Sequence, residues 1–298
     1  MPLIQPDFRR RHCLDRGWTL QVWRSAPLRP VDAPNATWSA DSKGHFRLRD
    51  GTWCYPLTIS DQSSRYLLRC HALHGIDKEP ATRVFEAAFR EFGLPTVIRT
   101  DNGTPFASNR GCLGLSELAL WWLRLGICPE RIQPGVPQQN GRHERLHRTL
   151  AEETARPPAY RLGEQQARFV WFRRDYNEER PHEALGQRRP ASVYTPSLRR
   201  MPARLPELEY ADALEVRRVD SNGSIWFSRN RYFISKILAG QAVGLGEVAD
   251  GEVEVWIGAL AVGYIDLRRS RLVPYGETSR PPEEAVGAVT KVSPMLPV

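Results

Sequence analysis

The chain has 298 residues, of which 41% are hydrophobic and 26% are charged, and its formal net charge is +8. This hydrophobic content is enough for a sizeable core, so wholesale disorder is excluded, and the length predicts about two domains. No run of about 18 apolar residues occurs, which excludes a membrane-spanning helix. Residues 1–30 lack an apolar run followed by small residues, so a secretory signal is not expected.

The positive charge is concentrated in two segments of the chain. Residues 1–40 carry 6 basic and 3 acidic side chains and residues 131–200 carry 14 and 8, whereas residues 201–298 carry 11 and 13. Only four of the 42 basic residues are lysines. Arginine binds phosphate through two parallel hydrogen bonds and stacks on bases. This distribution is compatible with a polyanionic partner, and equally with an arginine-biased solvated surface.

The cysteines give the redox environment. The five of them are Cys13, Cys54, Cys70, Cys112 and Cys128, and none forms a C-x-x-C pair. An odd number without paired spacing predicts free thiols in a reducing compartment, the cytoplasm. A zinc site is not expected.

The first predicted elements, in chain order, are strands. Residues 1–34 are rich in Arg and Pro and are interpreted as a basic, weakly ordered arm. Residues 52–60 and 64–70 are short apolar runs around the turn sequence Asp61-Gln62-Ser63, which predicts a β-hairpin. The segment 38–46 is expected to pair beside it as a further strand.

Helices and strands then alternate over residues 78–179. The spacing of Ala81, Val84, Phe85, Ala88, Phe89 and Phe92 predicts an amphipathic helix over 78–92, ended by Gly93 and Pro95. Further along, the patterns predict a strand at 96–100, a helix at 113–125, a loop at 129–141, and helices at 141–155 and 163–179. This order fits an α/β domain over 35–190, a mixed sheet flanked by helices. Trp121, Trp122, Trp171 and Phe172 are expected in its core.

A different pattern follows the Pro-rich stretch 191–206, which is predicted to be a linker. The turn signals Ser221-Asn222-Gly223 and Asp250-Gly251 separate short β-like runs. These runs lie at 214–219, 224–228, 231–235, 241–248, 252–257 and 261–267. They predict a small all-β barrel over 207–270. The Pro-rich residues 271–298 are expected to form a mobile tail.

Three acidic residues stand where such a sheet presents its side chains. Asp41 lies in the first strand, Asp101 directly follows the strand 96–100, and Glu144 lies just inside the helix that opens at Gly141. Neighbouring strand ends and an adjacent helix can bring carboxylates within metal-bridging distance, and hard oxygen ligands suit Mg²⁺ or Mn²⁺. The structural alternatives are a strand-ending turn at Asp101, a solvent-facing strand acid at Asp41, and a helix-dipole partner at Glu144.

Four sequence blocks carry a family resemblance. They are Trp38…Asp41-x-x-Gly44; Pro95…Thr100-Asp101-Asn102-Gly103-Thr104-Pro105-Phe106; Pro137-Gln138-Gln139-Asn140-Gly141-x-x-Glu144-Arg145-x-His147-Arg148-Thr149-Leu150; and Tyr176-Asn177-x-x-Arg180-Pro181-His182-x-Ala184-Leu185-Gly186. Together they resemble DDE-type transposases of bacterial insertion sequences, whose catalytic core is like that of retroviral integrases. The resemblance covers about residues 35–200.

This resemblance implies a ribonuclease-H-like fold and metal-dependent cleavage of DNA strands followed by strand transfer. It implies that Asp41, Asp101 and Glu144, which are 60 and 43 residues apart, form a catalytic triad that holds two Mg²⁺ or Mn²⁺ ions. Glu152 and Glu153 are rival third acids on the same helix. The implied partners are duplex DNA, as transposon ends and target, and further copies of the chain, in the bacterial cytoplasm. Neither a membrane nor a small-molecule cofactor is implied.

Candidate DNA-contacting residues surround each of the three acids. They are Lys43 and His45 beside Asp41, Asn102 beside Asp101, and Arg142, Arg145 and Arg148 around Glu144. His147 lies on the same predicted helix face as Glu144 and Arg148, and an ordinary charged face is the equal alternative. In the barrel, half of Trp226, Phe227, Tyr232 and Phe233 are expected to face the core. The others, with Arg229 and Arg231, would meet DNA or a protein.

Transposases of this kind usually begin with helix-turn-helix modules, and residues 1–34 are too short and too poorly periodic to form one. The first alternative function is therefore a truncated transposase that binds DNA or a full-length partner without cutting. The second is a ribonuclease-H-like nuclease that cleaves RNA–DNA hybrids.

Overall fold

The computed structural model describes residues 28, 31–42, 44–108, 114–132, 141–258 and 260–275. They form two compact units, the first ending at Glu207 and the second beginning at Leu208. Lys43, the side chain of Arg142, nearly all of the predicted arm at 1–34 and most of the predicted tail lie outside the described residues. In the described part of the chain, no helix is both long enough and apolar enough to cross a membrane.

A six-stranded mixed sheet forms the centre of the first unit. Its strands are β1 (Thr37–Asp41), β2 (Phe46–Arg47), β3 (Trp53–Asp61), β4 (Leu67–Leu73), β5 (Val97–Thr100) and β6 (Cys128–Arg131). β1, β5 and β6 are parallel neighbours, and β3 runs antiparallel to β1, β2 and β4. The predicted mixed sheet with flanking helices is thereby confirmed.

Within the described residues, four helices flank this sheet: α1 (Lys78–Phe92), α2 (Glu117–Arg124), α3 (Gly141–Thr154) and α4 (Leu162–Glu178). All six apolar positions that predicted α1 are buried. Gly93 ends α1 at a φ of 77°, and a Cβ there would lie 2.6 Å from the backbone oxygen of Ser197. Only glycine combines that positive φ with so close an approach. Ser116 caps α2 by accepting a hydrogen bond from the Ala119 amide at 3.1 Å.

One part of the core lies between α3, α4 and the β3–β4 hairpin. It contains the buried residues Leu48, Cys54, Leu67, Cys70, Ala72, Leu146, Leu150, Phe169 and Phe172. Trp122 and Phe172 are buried as predicted, but Trp171 is 61% exposed, so its assignment to the core is wrong. The helical spacing was compatible with either face of α4, and the packing of Phe169 and Phe172 fixes which face is inward.

Residues 128–131 form strand β6, although the sequence predicted a loop there. Pro129 lies within β6, and it lacks the N–H that a central strand needs. β6 is an edge strand that pairs with β5 on one side, which is where proline is tolerated. The proline therefore concealed the strand without preventing it.

The predicted linker begins as part of the first unit's surface. The Arg199 guanidinium donates hydrogen bonds to the backbone oxygens of Pro95, at 2.7 Å, and Gly126, at 2.8 Å. The amide of Leu94 in turn donates to the backbone oxygen of Arg199 at 2.7 Å. Partial burial of the same guanidinium lowers the pKa of Arg199.

The second unit consists mainly of β-strands, but their hydrogen-bond pairing does not form the closed barrel that the sequence predicted. Its strands are β7 (Glu215–Arg218), β8 (Ser224–Phe227), β9 (Asn230–Phe233), β10 (Ala242–Ala249), β11 (Glu252–Ile257), β12 (Leu260–Asp266) and β13 (Arg271–Pro274). Five of them form an antiparallel sheet in the order β13-β12-β11-β10-β7, and β8–β9 is a separate hairpin. The hairpin contacts β7 and β13 but joins neither ladder in the described residues. β13 also begins where the mobile tail was predicted to begin.

Candidate active site

Asp41 and Asp101 end two neighbouring parallel strands. In the register of β1 and β5, Ala40 lies opposite Thr100. Asp41 and Asp101 each follow by one residue, so they occupy the next position at the carboxyl edge of the sheet. Asp41 is only 2% exposed and Asp101 is half-buried. The sheet backbone therefore brings these two carboxylate-bearing residues side by side.

A tight turn orients the Asp101 carboxylate. The Gly103 amide donates a hydrogen bond to Asp101 Oδ1 at 3.0 Å. A Cβ at residue 103 would lie 3.2 Å from both carboxylate oxygens of Asp101, which is closer than side chains normally approach. The strand-ending turn considered as an alternative for Asp101 is thus present, and it holds the carboxylate at the sheet edge.

Thr58 connects Asp41 to helix α3. It is the register partner of Asp41 in the antiparallel β1–β3 pair, so the two side chains share a face of the sheet. Thr58 Oγ1 lies 2.8 Å from His143 Nε2 and 2.7 Å from His147 Nε2. α3 therefore packs on the face of the sheet to which Asp41 points.

Glu144 lies on α3, one residue after His143. One residue corresponds to about 100° around a helix, so Glu144 points away from the buried row of His143, Leu146 and Leu150 and is exposed. Among the residues that the structure describes, no three His, Cys, Asp or Glu side chains are grouped closely enough to hold a metal ion. The structure brings Asp41 and Asp101 together. Glu144 lies on an exposed face of α3, the helix that packs on the same face of the sheet.

The rival acid Glu153 has a structural partner. The guanidinium of Arg180 donates to both of its carboxylate oxygens and also to Asp175 Oδ2 at 2.6 Å. These acids raise the pKa of Arg180. Glu152, the other rival, is exposed two turns along α3 from Glu144. The contacts of Glu153 tie α3 to the end of α4.

Asp61 is a second buried acid of the sheet, at the other end of β1. Its carboxylate accepts hydrogen bonds from the amides of Asn35 and Ser64, each at 2.7 Å, and from the Ser64 hydroxyl at 2.7 Å. Burial raises the pKa of Asp61 despite these bonds. Because backbone amides and a side-chain hydroxyl engage its two oxygens, Asp61 is interpreted as a structural acid.

The predicted DNA-contacting residues differ in their surroundings. Arg145 and Arg148 are exposed on α3. His45 stacks on Tyr55 with ring centroids 5.1 Å apart, and Asn102 Nδ2 donates to the backbone oxygen of Ile132 at 3.0 Å. Lys43 and the Arg142 side chain are outside the described part of the chain. DNA contact by these residues stays a prediction.

The inward orientation of the two histidines was not predicted. The sequence interpretation placed His147 with Glu144 and Arg148 on a phosphate-facing surface, whereas His143 and His147 both turn towards Thr58. The signal was present in the spacing, because His143, Leu146, His147 and Leu150 recur at three and four residues. The basic residues between them favoured a solvated face instead.

The exposed aromatic residues of the second unit lie on its hairpin. Phe227 and Tyr232 are buried, while Trp226 is 66% exposed and Phe233 is 56% exposed. Trp226 lies directly opposite Arg231 in the β8–β9 pair, so an aromatic ring and a guanidinium share the outer face. This is the half-buried alternation that the sequence indicated.

Comparison with known proteins identifies the first unit. Two models, both described as integrase core domain, match the chain, one over residues 31–137 and the other over residues 125–190. Residues 31–190 form an integrase core domain. The predicted resemblance to insertion-element transposases with such a core is confirmed by relatives from insertion elements.

The chain is similar to two bacterial proteins. It is 31% identical over 160 residues to an insertion element IS407 uncharacterized 31.7 kDa protein of Burkholderia multivorans. It is 30% identical over 159 residues to an insertion element IS476 uncharacterized 39.2 kDa protein of Xanthomonas euvesicatoria. Each match covers 53% of this chain, and it covers 55% and 44% of the two relatives. The chain thus spans about half the length of the curated relatives that it matches.

Solved structures of retroviral integrases are also similar. A simian T-cell lymphotropic virus intasome in complex with PP2A regulatory subunit B56 gamma gives a TM-score of 0.46 at 20% identity, with 82% of this chain and 83% of that chain covered. The HTLV-2 integrase catalytic core domain in complex with magnesium gives a TM-score of 0.38 at 18% identity, with 54% and 97% covered.

Proposed function

We propose that this chain is a DDE-type DNA transposase that cleaves a DNA strand with the help of divalent metal ions and then joins the 3′ end to target DNA. The observation that carries the proposal is the parallel register of β1 and β5, which sets Asp41 beside Asp101 at the carboxyl edge of the integrase core. Matches to insertion-element proteins support it.

Asp41 and Asp101 are the proposed ligands of Mg²⁺ or Mn²⁺, and their hard oxygens suit these ions. A pair of such ions supplies activation of a water or a 3′-hydroxyl and neutralises charge on the phosphodiester. Burial restricts the side-chain conformation of Asp41, and a hydrogen bond from the Gly103 amide orients the Asp101 carboxylate. Glu144 is the proposed third acid, because α3 is attached through the neighbouring His143 to the register partner of Asp41.

Duplex DNA is the proposed partner, held mainly through its phosphates. Arg145 and Arg148 are exposed on the helix that carries Glu144, and Lys43, His45, Asn102 and Arg142 are the other proposed contacts. Binding should therefore weaken steeply as salt is raised. Cutting two transposon ends calls for at least a dimer on DNA, and the proposed location is the bacterial cytoplasm.

The test is a strand-cleavage and strand-transfer assay with Mn²⁺ or Mg²⁺. The substrate is a duplex that carries the inverted repeats flanking the reading frame, with supercoiled plasmid as target. Asp41→Asn, Asp101→Asn and Glu144→Gln are each expected to abolish both steps. Glu152→Gln is the matched control, because it removes a charge from the same helix two turns away and should leave activity intact.

Two results would assign a different function. Absence of cleavage with intact DNA binding would favour a truncated, non-cleaving transposase fragment that binds DNA or a full-length partner. Cleavage of an RNA–DNA hybrid, with none of duplex DNA, would favour a ribonuclease-H-like nuclease. Loss of activity in Glu152→Gln but not in Glu144→Gln would reassign the third acid.

A further inference from the structure

The hydroxyl of Thr58 is a meeting point for three polar groups from two elements. Its Oγ1 lies 2.8 Å from His143 Nε2, 2.7 Å from His147 Nε2 and 3.4 Å from the backbone oxygen of Asp41. Thr58 and His143 are buried, and the two imidazole centroids are 5.2 Å apart. We call Thr58, His143 and His147 the hydroxyl–imidazole cluster.

Counting protons restricts the two rings. A threonine hydroxyl has one proton to donate and can accept two hydrogen bonds. If the proton points to one imidazole, the other imidazole must donate its own Nε2–H to Oγ1. If the proton points to the Asp41 carbonyl, both imidazoles must donate. At least one of His143 and His147 therefore carries its proton on Nε2, and the states of the two rings are linked through one oxygen.

The cluster fastens the part of α3 that carries the proposed third acid. His143 and His147 are one turn apart and bracket Glu144 along the helix, while the apolar contacts of α3 come from Leu146 and Leu150. On the strand side, Thr58 is the register partner of Asp41. One hydroxyl thus contacts both the strand that ends in Asp41 and the helix turn that carries Glu144.

An apolar contact would hold the helix to the sheet as well, which makes the choice of polar residues informative. Burying polar side chains such as those of Thr58 and His143 is costly unless each is hydrogen-bonded. Hydrogen bonds also restrict distance and direction far more than apolar packing does. We propose that Thr58 is a positioning residue which, through His143 and His147, sets the location of Glu144 relative to Asp41. This inference rests on the proposed transposase function.

The experiment compares three substitutions in the full chain. Thr58→Val removes the hydroxyl at constant shape, Thr58→Ser keeps it, and Thr37→Val is the matched control. Thr37 is also a buried residue of the central sheet, but among the described residues its hydroxyl has no hydrogen-bond partner. The activity readout is the Mn²⁺ concentration that gives half-maximal strand cleavage. The second readout, independent of activity, is the ¹⁵N NMR shift of the imidazole nitrogens of His143 and His147.

The expected results separate positioning from simple stability. Thr58→Val should raise the half-maximal Mn²⁺ concentration about tenfold or more, the usual cost of losing a group that orients a metal ligand. It should also change the ¹⁵N shifts of both histidines. Thr58→Ser should restore both readouts, and Thr37→Val should change neither. If Thr58→Val does not fold, His147→Gln, which keeps a donor near the Nε2 position, should resemble the wild type, while His147→Phe should raise the metal requirement.

Each contrary outcome has a distinct meaning. A folded Thr58→Val protein with the wild-type Mn²⁺ requirement overturns the positioning role and leaves the transposase proposal standing. Equal metal requirements in His147→Gln and His147→Phe do the same. A wild-type protein without metal-dependent cleavage overturns the transposase proposal, and the positioning role with it.

Discussion

The outer edge of strand β4 gives the sharpest stability prediction. β4 is an edge strand, and two side-chain amides of α4 bond to its backbone. Asn177 accepts from the Leu67 amide at 2.8 Å and donates to the Leu67 carbonyl at 3.0 Å. Gln166 does the same with the Ala72 amide at 2.8 Å and the Cys70 carbonyl at 3.1 Å. These amides take the place of a neighbouring strand, which an unprotected edge would otherwise recruit from another chain.

Asn177→Ala leaves both backbone groups of Leu67 without partners. Asn177 and Leu67 are both buried, so water cannot readily replace the lost bonds. Each unsatisfied buried group costs about 1–3 kcal/mol, which predicts a loss of about 2–6 kcal/mol in the free energy of unfolding. A natural domain has about 5–15 kcal/mol in total. Asn177 lies in a block that resembles transposases, but we expect its role to be architectural.

Urea denaturation of Asn177→Ala measures this loss. Arg174→Ala is the matched control on the same helix, because Arg174 forms an exposed ion pair with Glu178 at 3.1 Å. Such pairs contribute about 0.5 kcal/mol or less. A loss below about 1 kcal/mol in Asn177→Ala, or an equal loss in both variants, would contradict the view that the amide completes the sheet edge.

Three further predictions concern the site, its pH dependence and the second unit. Gly103→Ala should slow strand cleavage with little change in stability, because its methyl group would lie 3.2 Å from the Asp101 carboxylate oxygens; unchanged cleavage would count against the turn's role. Burial lowers the pKa of His182 from its usual 6.5, and its buried Nε2 has no hydrogen-bond partner in the part of the chain that the structure describes. The unfolded chain therefore takes up the proton first, and the free energy of unfolding should fall as the pH drops below 6.5. This fall should be smaller in His182→Phe, and equal dependence on pH in urea denaturation of the two proteins would refute the prediction. Trp226→Ala and Arg231→Ala should weaken binding of duplex DNA in a fluorescence titration without unfolding the chain, since both side chains are exposed; unchanged affinity would favour a protein partner for the hairpin.

Local patterns predicted much of the fold. Helix α1 was predicted with its observed bounds because its apolar spacing and its Gly93 stop both act within a few residues. β6 was missed because Pro129 disqualifies a central strand, and only tertiary pairing shows that this strand lies at an edge. Whether the strands of the second unit form a closed barrel could not be predicted from the sequence, because that too depends on tertiary pairing. Alternation predicts strands, but it does not say whether β7 and β13 share hydrogen bonds with the hairpin.

The site was predictable to the extent that it depends on the backbone. Asp41 and Asp101 were expected together because neighbouring strand ends can bring carboxylates close, and the parallel register of β1 and β5 places the two residues at the same edge. The orientation of α3 was not predictable, because His143 and His147 belong to a strongly charged stretch that resembles a solvated face. Their inward direction follows from a hydroxyl on a distant strand, which no local pattern reveals.

The three proposed acids are consequently held by different kinds of interaction. Backbone hydrogen bonds of the sheet set the spacing of Asp41 and Asp101, so substitutions around them should change the chemistry of the site more than its geometry. Glu144 depends on side-chain hydrogen bonds at Thr58 and on the salt bridge from Arg180 to Glu153 further along α3. Substitutions that remove these contacts should therefore displace Glu144 and leave the aspartate pair in place. A metal requirement that rises when these contacts are removed, beside outright loss of activity in the aspartate variants, is the pattern that this division of roles predicts.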